Sequence, residues 1–224
     1  LMRASFSENC PEYSPLFQEI KTWSDIEKFL QNFDVSFPLI LKPTNLFKSL
    51  LVTKSNTPSE LQKNFEESLA RIAEIYAKEN VLLEPRFVIE EYLDGPSYSL
   101  EVFCDSDGNS VSTPSPVDLV MGKDLGLTDN YNYSRKLPSQ LTTEQQQELK
   151  KAAFAGVQAV QLTASPAHVE MVYTSKGPKI IEIGARTGGY RPRMHQLAEG
   201  INLLQAQTEI ARNKLPDLSA QYQK

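Results

Sequence analysis

Two glutamates, Glu170 and Glu182, have the residue type and spacing that a divalent metal site requires. They lie in two short apolar segments, 168–173 and 179–183, with a Gly-Pro turn between them. This pattern predicts two adjacent strands, and because side chains alternate along a strand, both glutamates can lie on one face. Two carboxylates close together repel each other unless a cation joins them. The spacing therefore indicates a site for a hard cation such as Mg²⁺, which carboxylates and phosphate oxygens bind.

The residues around the two glutamates extend this interpretation. Val172 and Ile180 are expected on the same face, so the carboxylates would have apolar neighbours, where an unpaired charge is costly. A glycine-rich turn, 184–189, follows at once and carries Arg186, whose guanidinium suits phosphate or carboxylate. Together these features predict a metal–phosphate site. The alternative is a plain hairpin with two solvated glutamates, and the strand pattern alone does not decide between them.

Composition limits the classes of function. The chain has 224 residues and a formal net charge of −5, which gives no general electrostatic support for binding nucleic acid. No apolar run approaches the roughly 18 residues that a membrane-spanning helix needs, so no membrane partner is expected. The two cysteines, Cys10 and Cys104, have no metal-ligand spacing and suggest a reducing, cytoplasmic compartment.

The elements that must position the site are a mixture of helices and strands. Segment 37–43 is a short buried strand that carries Lys42 near its end, where the stem can pack while the ammonium group meets an anion or solvent. Helical periodicity predicts a long helix from residue 58 to about 80 and another, with small residues on one face, over 143–162. No regular element is predicted before residue 24. The pattern is that of an α+β protein.

Four segments, taken in order, resemble the ATP-grasp superfamily and its carboxylate–amine ligases in particular. They are 37–43 (FPLILKP), 88–96 (VIEEYLDGP), 168–171 (HVEM) and 181–189 (IEIGARTGG). Each is weak alone, but four in the right order and spacing are fairly specific. The resemblance implies an α+β, ATP-grasp fold in which two α+β lobes hold a nucleotide between them.

The resemblance also implies a domain division and an activity. The lobes would be residues 1–88 and 96–224, joined by a hinge over 89–95. ATP and Mg²⁺ would activate a small-molecule carboxylate as an acyl phosphate, which an amine or similar nucleophile then attacks. Too few residues precede 37–43 for the α/β domain that usually comes first, so we expect that domain to be absent, removed or on a second subunit.

Individual roles follow by resemblance. Lys42 is similar to the lysine that contacts the α- and β-phosphates, and Arg186 to the residue that steadies the γ-phosphate and the acyl phosphate; these two are the predicted catalytic residues. Glu170 and Glu182 are similar to the Mg²⁺ ligands. The predicted cofactor-binding residues are Lys42, Lys48, Glu90, Glu91, Leu93 and Ser97, of which Glu90, Glu91 and Leu93 would read the adenine edge.

Two arginines after the Gly-Gly turn, Arg191 and Arg193, are candidates for binding a substrate carboxylate. A surface helix that begins with two arginines is the alternative. His168 is expected to orient the hairpin or a neighbouring carboxylate rather than to act as a base.

Three departures from the family pattern leave two further hypotheses open. The loop 44–51 has no glycine, so Lys48 would have to replace the lost backbone contacts to phosphate. Ser97 stands where an acidic residue is expected to hold the ribose. Gly184 stands where the side chain of an asparagine would be a third metal ligand. One hypothesis is a catalytically degenerate ATP-grasp protein that binds a nucleotide or a partner. The other is a purely structural module with solvated Glu170 and Glu182.

Overall fold

A computed structural model describes residues 2–46, 49–127 and 131–220, and these form two compact units. Unit 1 is Pro15–Tyr92. Unit 2 combines the N-terminal segment Met2–Ser14 with the chain from Leu93 onward. The resemblance to the ATP-grasp superfamily predicts that the whole segment 1–88 forms one lobe. In the structure, residues 2–14 pack instead with the later part of the chain.

Unit 1 is an antiparallel sheet of four strands with two helices. Its elements are β1 (Phe17–Ile20), α2 (Trp23–Asn32), β2 (Leu39–Pro43), β3 (Thr53–Ser55), α3 (Pro58–Lys78) and β4 (Phe87–Glu91). The strand order is β1-β4-β2-β3. Threonine caps begin both helices: the side chains of Thr22 and Thr57 accept hydrogen bonds from the backbone N–H groups of Asp25 and Glu60.

The alternation of side chains gives the sheet of unit 1 two different faces. One face buries Leu39, Leu41, Phe87 and Ile89 in a cluster with residues of α2 and α3. The opposite face carries Lys42 and Glu90. The core of unit 1 therefore fixes which side of the sheet the charged residues occupy.

Unit 2 is built on a larger antiparallel sheet. Its elements are α1 (Met2–Asn9), a 3₁₀ turn (Pro11–Tyr13), β5 (Ser97–Cys104), β6 (Ser110–Ser112), β7 (Val117–Met121), a second 3₁₀ turn (Gly122–Leu125), β8 (Asn132–Lys136), α4 (Thr143–Ala159), β9 (Ser165–Thr174), β10 (Gly177–Gly184), α5 (Arg191–Glu199) and α6 (Leu203–Ala211). The strand order is β10-β9-β5-β7-β8, and β6 pairs with β5.

The sheet of unit 2 also separates apolar from polar side chains. Leu100, Val102, Val169 and Met171 are buried in one cluster with Phe6 of α1 and with small residues of α4. Gly156 of α4 lies so close to β10 that an added Cβ would be 2.5 Å from Ile180 Cδ1, which explains the small-residue face of this helix. The other face, which we call the polar face, carries Ser97, Ser99, Glu101, His168, Glu170 and Glu182.

Helix α1 is a difference from the sequence-based expectation, which placed no regular element before residue 24. Its sequence shows little amphipathic pattern, so tertiary contacts stabilise it. Phe6 is fully buried, and Arg3 Nη1 donates to the carbonyl oxygen of Ile180 at 2.6 Å. Because β10 is an edge strand, the N-terminal segment covers part of an otherwise open sheet edge.

Two further observations concern the whole described chain. No helix within residues 2–46, 49–127 and 131–220 combines the length and apolarity that crossing a membrane requires. Cys10 and Cys104 are both buried, free thiols. Burial raises the pKa of the Cys104 thiol to about 11, which keeps it protonated and unreactive at neutral pH.

Candidate functional site

The two glutamates singled out by the sequence lie directly opposite each other. In the register of β9 and β10, Glu182 pairs with Glu170, and on the other side of β9 Glu170 pairs with Ser99. Residues that pair across antiparallel strands point to the same face. Both carboxylates therefore project from the polar face of unit 2, next to each other.

A β-bulge changes the expected surroundings of Glu182. The register shifts between Ile180 and Glu182, so that Ile180 pairs with Met171 and Ile181 is the extra residue. Ile180 therefore points into the core with Met171, and the expectation that it shares a face with the glutamates is wrong. Simple alternation fails here because one inserted residue reverses the direction of every side chain before it.

His168 joins the site through two carboxylates. Its Nδ1 lies 2.5 Å from Glu101 Oε1 and its Nε2 lies 3.1 Å from Glu170 Oε1, on a ring that is almost fully buried. Burial by itself lowers the pKa of the imidazole, but the hydrogen bonds and charges of Glu101 and Glu170 outweigh it and raise the pKa to about 9. His168 is thus an imidazolium at neutral pH and orients both carboxylates, as the sequence analysis expected.

Glu170 stays ionised in these surroundings. Burial opposes its ionisation, but the hydrogen bond and charge of His168, together with Arg191 and Arg186, hold the pKa of the Glu170 carboxyl below its usual range. A carboxylate that is kept deprotonated and partly exposed can serve as a metal ligand.

Glu101 is a site residue that the sequence analysis missed. Its side chain is fully buried, and its Oε2 accepts a hydrogen bond of 2.8 Å from the backbone N–H of Gly188. It therefore connects β5 to the glycine-rich turn after β10 and also holds His168. A signal existed in the sequence: Glu101 is the one charge in the apolar strand segment 98–103, where a lone buried acid needs partners.

Arg191 has an internal structural role. It is only 2% exposed, and its Nε and Nη2 donate to Ser99 Oγ at 3.1 and 2.8 Å. Its Nε also lies 3.9 Å from Glu101 Oε1. Its guanidinium is thus engaged by β5, whereas Arg193, two residues later on α5, is exposed.

Gly188, in the Gly-Gly turn, lies very close to the side chains of His168 and Arg191. A Cβ at Gly188 would lie 2.5 Å from the Cε1 and Nδ1 atoms of His168 and 2.8 Å from Arg191 Cγ, while a Cβ at Gly189 would meet nothing within 4 Å.

We therefore expect Gly188→Ala to lower the free energy of unfolding by about 1–3 kcal/mol, because overpacking forces buried groups to move. Gly189→Ala is the matched control and is expected to change it by less than about 0.5 kcal/mol. Urea denaturation of both variants measures the difference. Equal stability of the two would show that the close packing around His168 is not real.

Arg186 follows the glutamates in the same turn. It is exposed, and its Nη1 donates to the carbonyl oxygen of Thr187 at 3.1 Å. Gly184, which pairs with His168, provides no side chain where the family pattern has an amide. Thus the five residues 182–186, at the end of β10 and the start of the following turn, contain one carboxylate, a glycine without a side chain and an exposed guanidinium group.

The donor set of the polar face fits a hard divalent cation. Two carboxylates on paired strands provide anionic oxygens close together, and oxygen is the ligand atom that Mg²⁺ prefers. Among the residues that the structure describes, no group of three or more His, Cys, Asp or Glu side chains is arranged to hold a metal. Glu170 and Glu182 would therefore provide only part of a coordination shell, and phosphate oxygens and water would complete it.

In unit 1 the structure brings two of the predicted residues together. Lys42 Nζ lies 3.0 Å from Glu90 Oε1, and the Glu90 side chain is largely buried. Both project from the face of the sheet opposite its core. Glu91 points the other way: its Oε1 accepts from the backbone N–H of Leu16 at 2.8 Å, so its carboxylate holds β4 to the start of the unit.

The remaining predicted cofactor-binding residues are distributed as follows. Leu93 is half-buried and is the first residue of unit 2 after the chain leaves Tyr92. Ser97 is buried at the start of β5, opposite Val172 and on the polar face. Lys48 lies outside the described residues.

Solved structures with the same fold include two ligases and a biotin carboxylase domain. An L-amino acid ligase from Bacillus licheniformis is 24% identical with a TM-score of 0.73, and the comparison covers 100% of this chain and 51% of that chain. The biotin carboxylase domain of 2-oxoglutarate carboxylase from Hydrogenobacter thermophilus, in complex with MgADP, has a TM-score of 0.76 at 16% identity, over 97% of this chain and 46% of that one. VanG D-Ala:D-Ser ligase from Enterococcus faecalis has a TM-score of 0.66 at 15% identity, over 95% and 58%. At these identities the likeness shows the fold.

Sequence comparison places the chain in a family. The uncharacterized protein y4rH of Sinorhizobium fredii is 24% identical over 188 residues, which are 83% of this chain and 36% of that protein. The chain therefore spans about a third of this curated relative and about half of the L-amino acid ligase. Residues 35–192 match the ATP-grasp domain family, a segment that runs from before Lys42 to beyond Arg191 and makes up more than half of the chain. The chain belongs to the ATP-grasp family.

Proposed function

We propose that this chain is the ATP- and Mg²⁺-dependent portion of a ligase that joins a small-molecule carboxylate to an amine. The observation that carries the proposal is the pair of opposed carboxylates, Glu170 and Glu182, followed at once by Arg186. Support also comes from the names of similar structures, which include an L-amino acid ligase and a D-Ala:D-Ser ligase. The buried free thiols fit a reducing compartment, and we propose the cytoplasm.

The proposed reaction has two steps. A carboxylate oxygen of the first substrate attacks the γ-phosphorus of ATP, which forms an acyl phosphate and releases ADP. The amine nitrogen of the second substrate then attacks the acyl carbon, forms the amide, loses a proton and expels inorganic phosphate. Such transfers depend on positioning and charge neutralisation rather than on a nucleophilic side chain.

Each residue has a role that its surroundings support. Glu170 and Glu182 would hold Mg²⁺, which when bound neutralises phosphate charge. His168 and Glu101 keep Glu170 in place and ionised. Arg186, which is exposed in the glycine-rich turn after β10, would stabilise the charge on the transferred phosphoryl group.

Lys42 and Glu90 have the proposed nucleotide-binding roles in unit 1. The Lys42 ammonium would contact the α- and β-phosphates. The 3.0 Å ion pair with Glu90 holds the Lys42 side chain in place. Leu93 and Ser97 would contact adenine and ribose. Glu91 would contribute through its backbone, since its carboxylate already binds the N–H of Leu16.

The first test is a thermal shift of the protein with ATP, ADP and a non-hydrolysable ATP analogue, each with and without Mg²⁺. Because a ligand that binds only the folded state raises its stability, a ligand at 100 times its Kd is expected to add about 2.7 kcal/mol. We expect a shift that requires both nucleotide and Mg²⁺. If no nucleotide raises the melting temperature, with or without Mg²⁺, the proposal is wrong for this chain. Release of ADP in the presence of amino acids then tests ligation itself.

One observation favours a second function, nucleotide binding without turnover. Gly184 leaves the position of the third metal ligand without a side chain, opposite His168. Tight binding of ATP and Mg²⁺ with no ADP release across a broad set of carboxylates and amines would support this alternative over the ligase.

A further inference from the structure

Arg135 of β8 is a charged residue on the polar face that no role above accounts for. It pairs with Leu119 of β7, which pairs with Ser97 of β5, and residues that pair across strands share a face. Its Nε is buried and has no hydrogen-bond partner among the described residues. A buried donor of this kind is costly unless a ligand or water completes it.

Tyr190 of the turn before α5 lies next to this guanidinium. The Arg135 guanidinium carbon lies 5.5 Å from the centroid of the Tyr190 ring, a cation–π distance. Tyr190 has φ of 64° and is 74% exposed, so a bulky residue is kept in the left-handed region at the start of α5. Strain of this kind persists where surrounding structure imposes it, and functional sites are common places for it.

Two other guanidinium groups, those of Arg135 and Arg186, act on Arg191. Burial lowers the pKa of Arg191, repulsion from Arg135 and Arg186 adds to this, and attraction to Glu101 opposes it. Arg135 and Arg186 are thus each close enough to Arg191 for their charges to act on it. Arg191 is balanced by Glu101, and the proposed function assigns Arg186 to phosphate, which leaves Arg135 for another anion.

An unpartnered acceptor lies near Arg135 on the same strand. Asn132 pairs with Met121, two positions along β7 from Leu119, and its Oδ1 is buried without a hydrogen-bond partner among the described residues. The face therefore offers an anion-binding fork and, three residues earlier on the same strand, an acceptor for an N–H group. A molecule that carries both a carboxylate and an ammonium group matches this pair.

We propose that Arg135, supported by Tyr190, binds the unreacted carboxylate of an α-amino-acid substrate, while Asn132 accepts a hydrogen bond from an N–H group of that substrate. This inference rests on the proposed function, because it assigns one of the two substrates of that ligation. With Tyr190 beside it, the Arg135 guanidinium would form through its edge the two parallel hydrogen bonds that a planar carboxylate accepts. Arg135 would therefore decide specificity for a free carboxylate over a neutral amide.

The test compares each amino acid with its carboxamide as the amine substrate, in an assay of ADP release. We expect Arg135→Ala to raise the KM for the amino acid at least tenfold and to leave the KM for the carboxamide and for ATP unchanged. Arg135→Lys keeps the charge but loses the fork, so it is expected to be intermediate. Arg71→Ala, at an exposed arginine on α3, is the matched control. An increase in the KM for ATP instead would show that Arg135 contacts phosphate and would overturn the proposal.

A binding measurement without turnover separates this inference from the ligase proposal. L-dipeptides and their C-terminal amides are titrated into the wild-type protein, Arg135→Ala and Arg71→Ala. A preference for the free carboxylate that only Arg135→Ala removes supports the inference, even if no ADP is released. No preference in the wild type, or one that persists in Arg135→Ala, overturns it, even if ligation is observed.

Discussion

Glu182→Gln is expected to abolish Mg²⁺-dependent release of ADP without destabilising the fold. The substitution removes one of two opposed carboxylates, and with it a proposed ligand of Mg²⁺, a cation that contributes several kcal/mol of stabilisation to such a transition state. Since about 1.4 kcal/mol corresponds to a factor of ten, the rate is expected to fall by about 100-fold or more. The measurement is the initial rate of ADP release as a function of Mg²⁺ concentration.

Stability separates this role from a structural one. Like charges that are directly opposite on neighbouring strands destabilise a sheet, and Glu182→Gln removes this repulsion with a side chain of nearly the same shape at an exposed position. We expect the midpoint of urea denaturation of Glu182→Gln to equal or slightly exceed that of the wild type. Glu66→Gln, at an exposed position on α3, is the control for activity and should behave as the wild type does. Full activity of Glu182→Gln would refute the metal assignment.

Glu101→Gln is expected to cause the largest loss of stability. The Glu101 carboxylate is buried between His168 and Arg191, whose positive charges it balances, and it also accepts a hydrogen bond from the backbone N–H of Gly188. Removing one partner of a buried charged pair leaves the others uncompensated, and this typically costs about 3–5 kcal/mol. Urea denaturation measures the change, and Glu67→Gln, in an exposed ion pair with Lys63, should cost less than about 1 kcal/mol.

A double-mutant cycle tests whether the loss arises from Arg191. If Arg191 is destabilising once Glu101 is neutral, the combination of Glu101→Gln with Arg191→Met should recover part of the lost stability. Strict additivity of the two substitutions would mean that the 3.9 Å separation carries no interaction. A wild-type denaturation midpoint for Glu101→Gln would contradict the whole buried network.

The local pattern was sufficient to predict the hairpin and its two glutamates, because each strand has its own alternation and the Gly-Pro segment permits a tight turn. It was not sufficient for the register, since the bulge at Ile181 depends on how β10 packs against α4. Helix α1 could not be predicted for a similar reason: Arg3 and Phe6 gain their partners from Ile180 and the core of unit 2, far along the chain.

The same distinction applies to the site residues. The sequence pointed to Glu170, Glu182 and Arg186 as site candidates, because their residue types and spacing lie within one hairpin and the turn that follows it; their chemistry stays a prediction. It left Arg191 with two alternatives, and only the structure shows it buried against Ser99, because that contact joins residues 92 positions apart. The contacts of Glu101, and those on which the proposed role of Arg135 rests, could not be foreseen, because each residue acquires its neighbours from another strand or from the turn before α5.

By itself, the sequence determined the family, the class of fold and the residues that one short segment brings together. These depend on local periodicity, turn residues and the order of motifs, all of which are properties of the chain before it folds. Only the tertiary structure decided which charges are paired in the interior. The reason is physical: pairing, burial and the direction of each side chain are set by sheet register and packing between distant segments, and the sequence of either segment alone does not contain them.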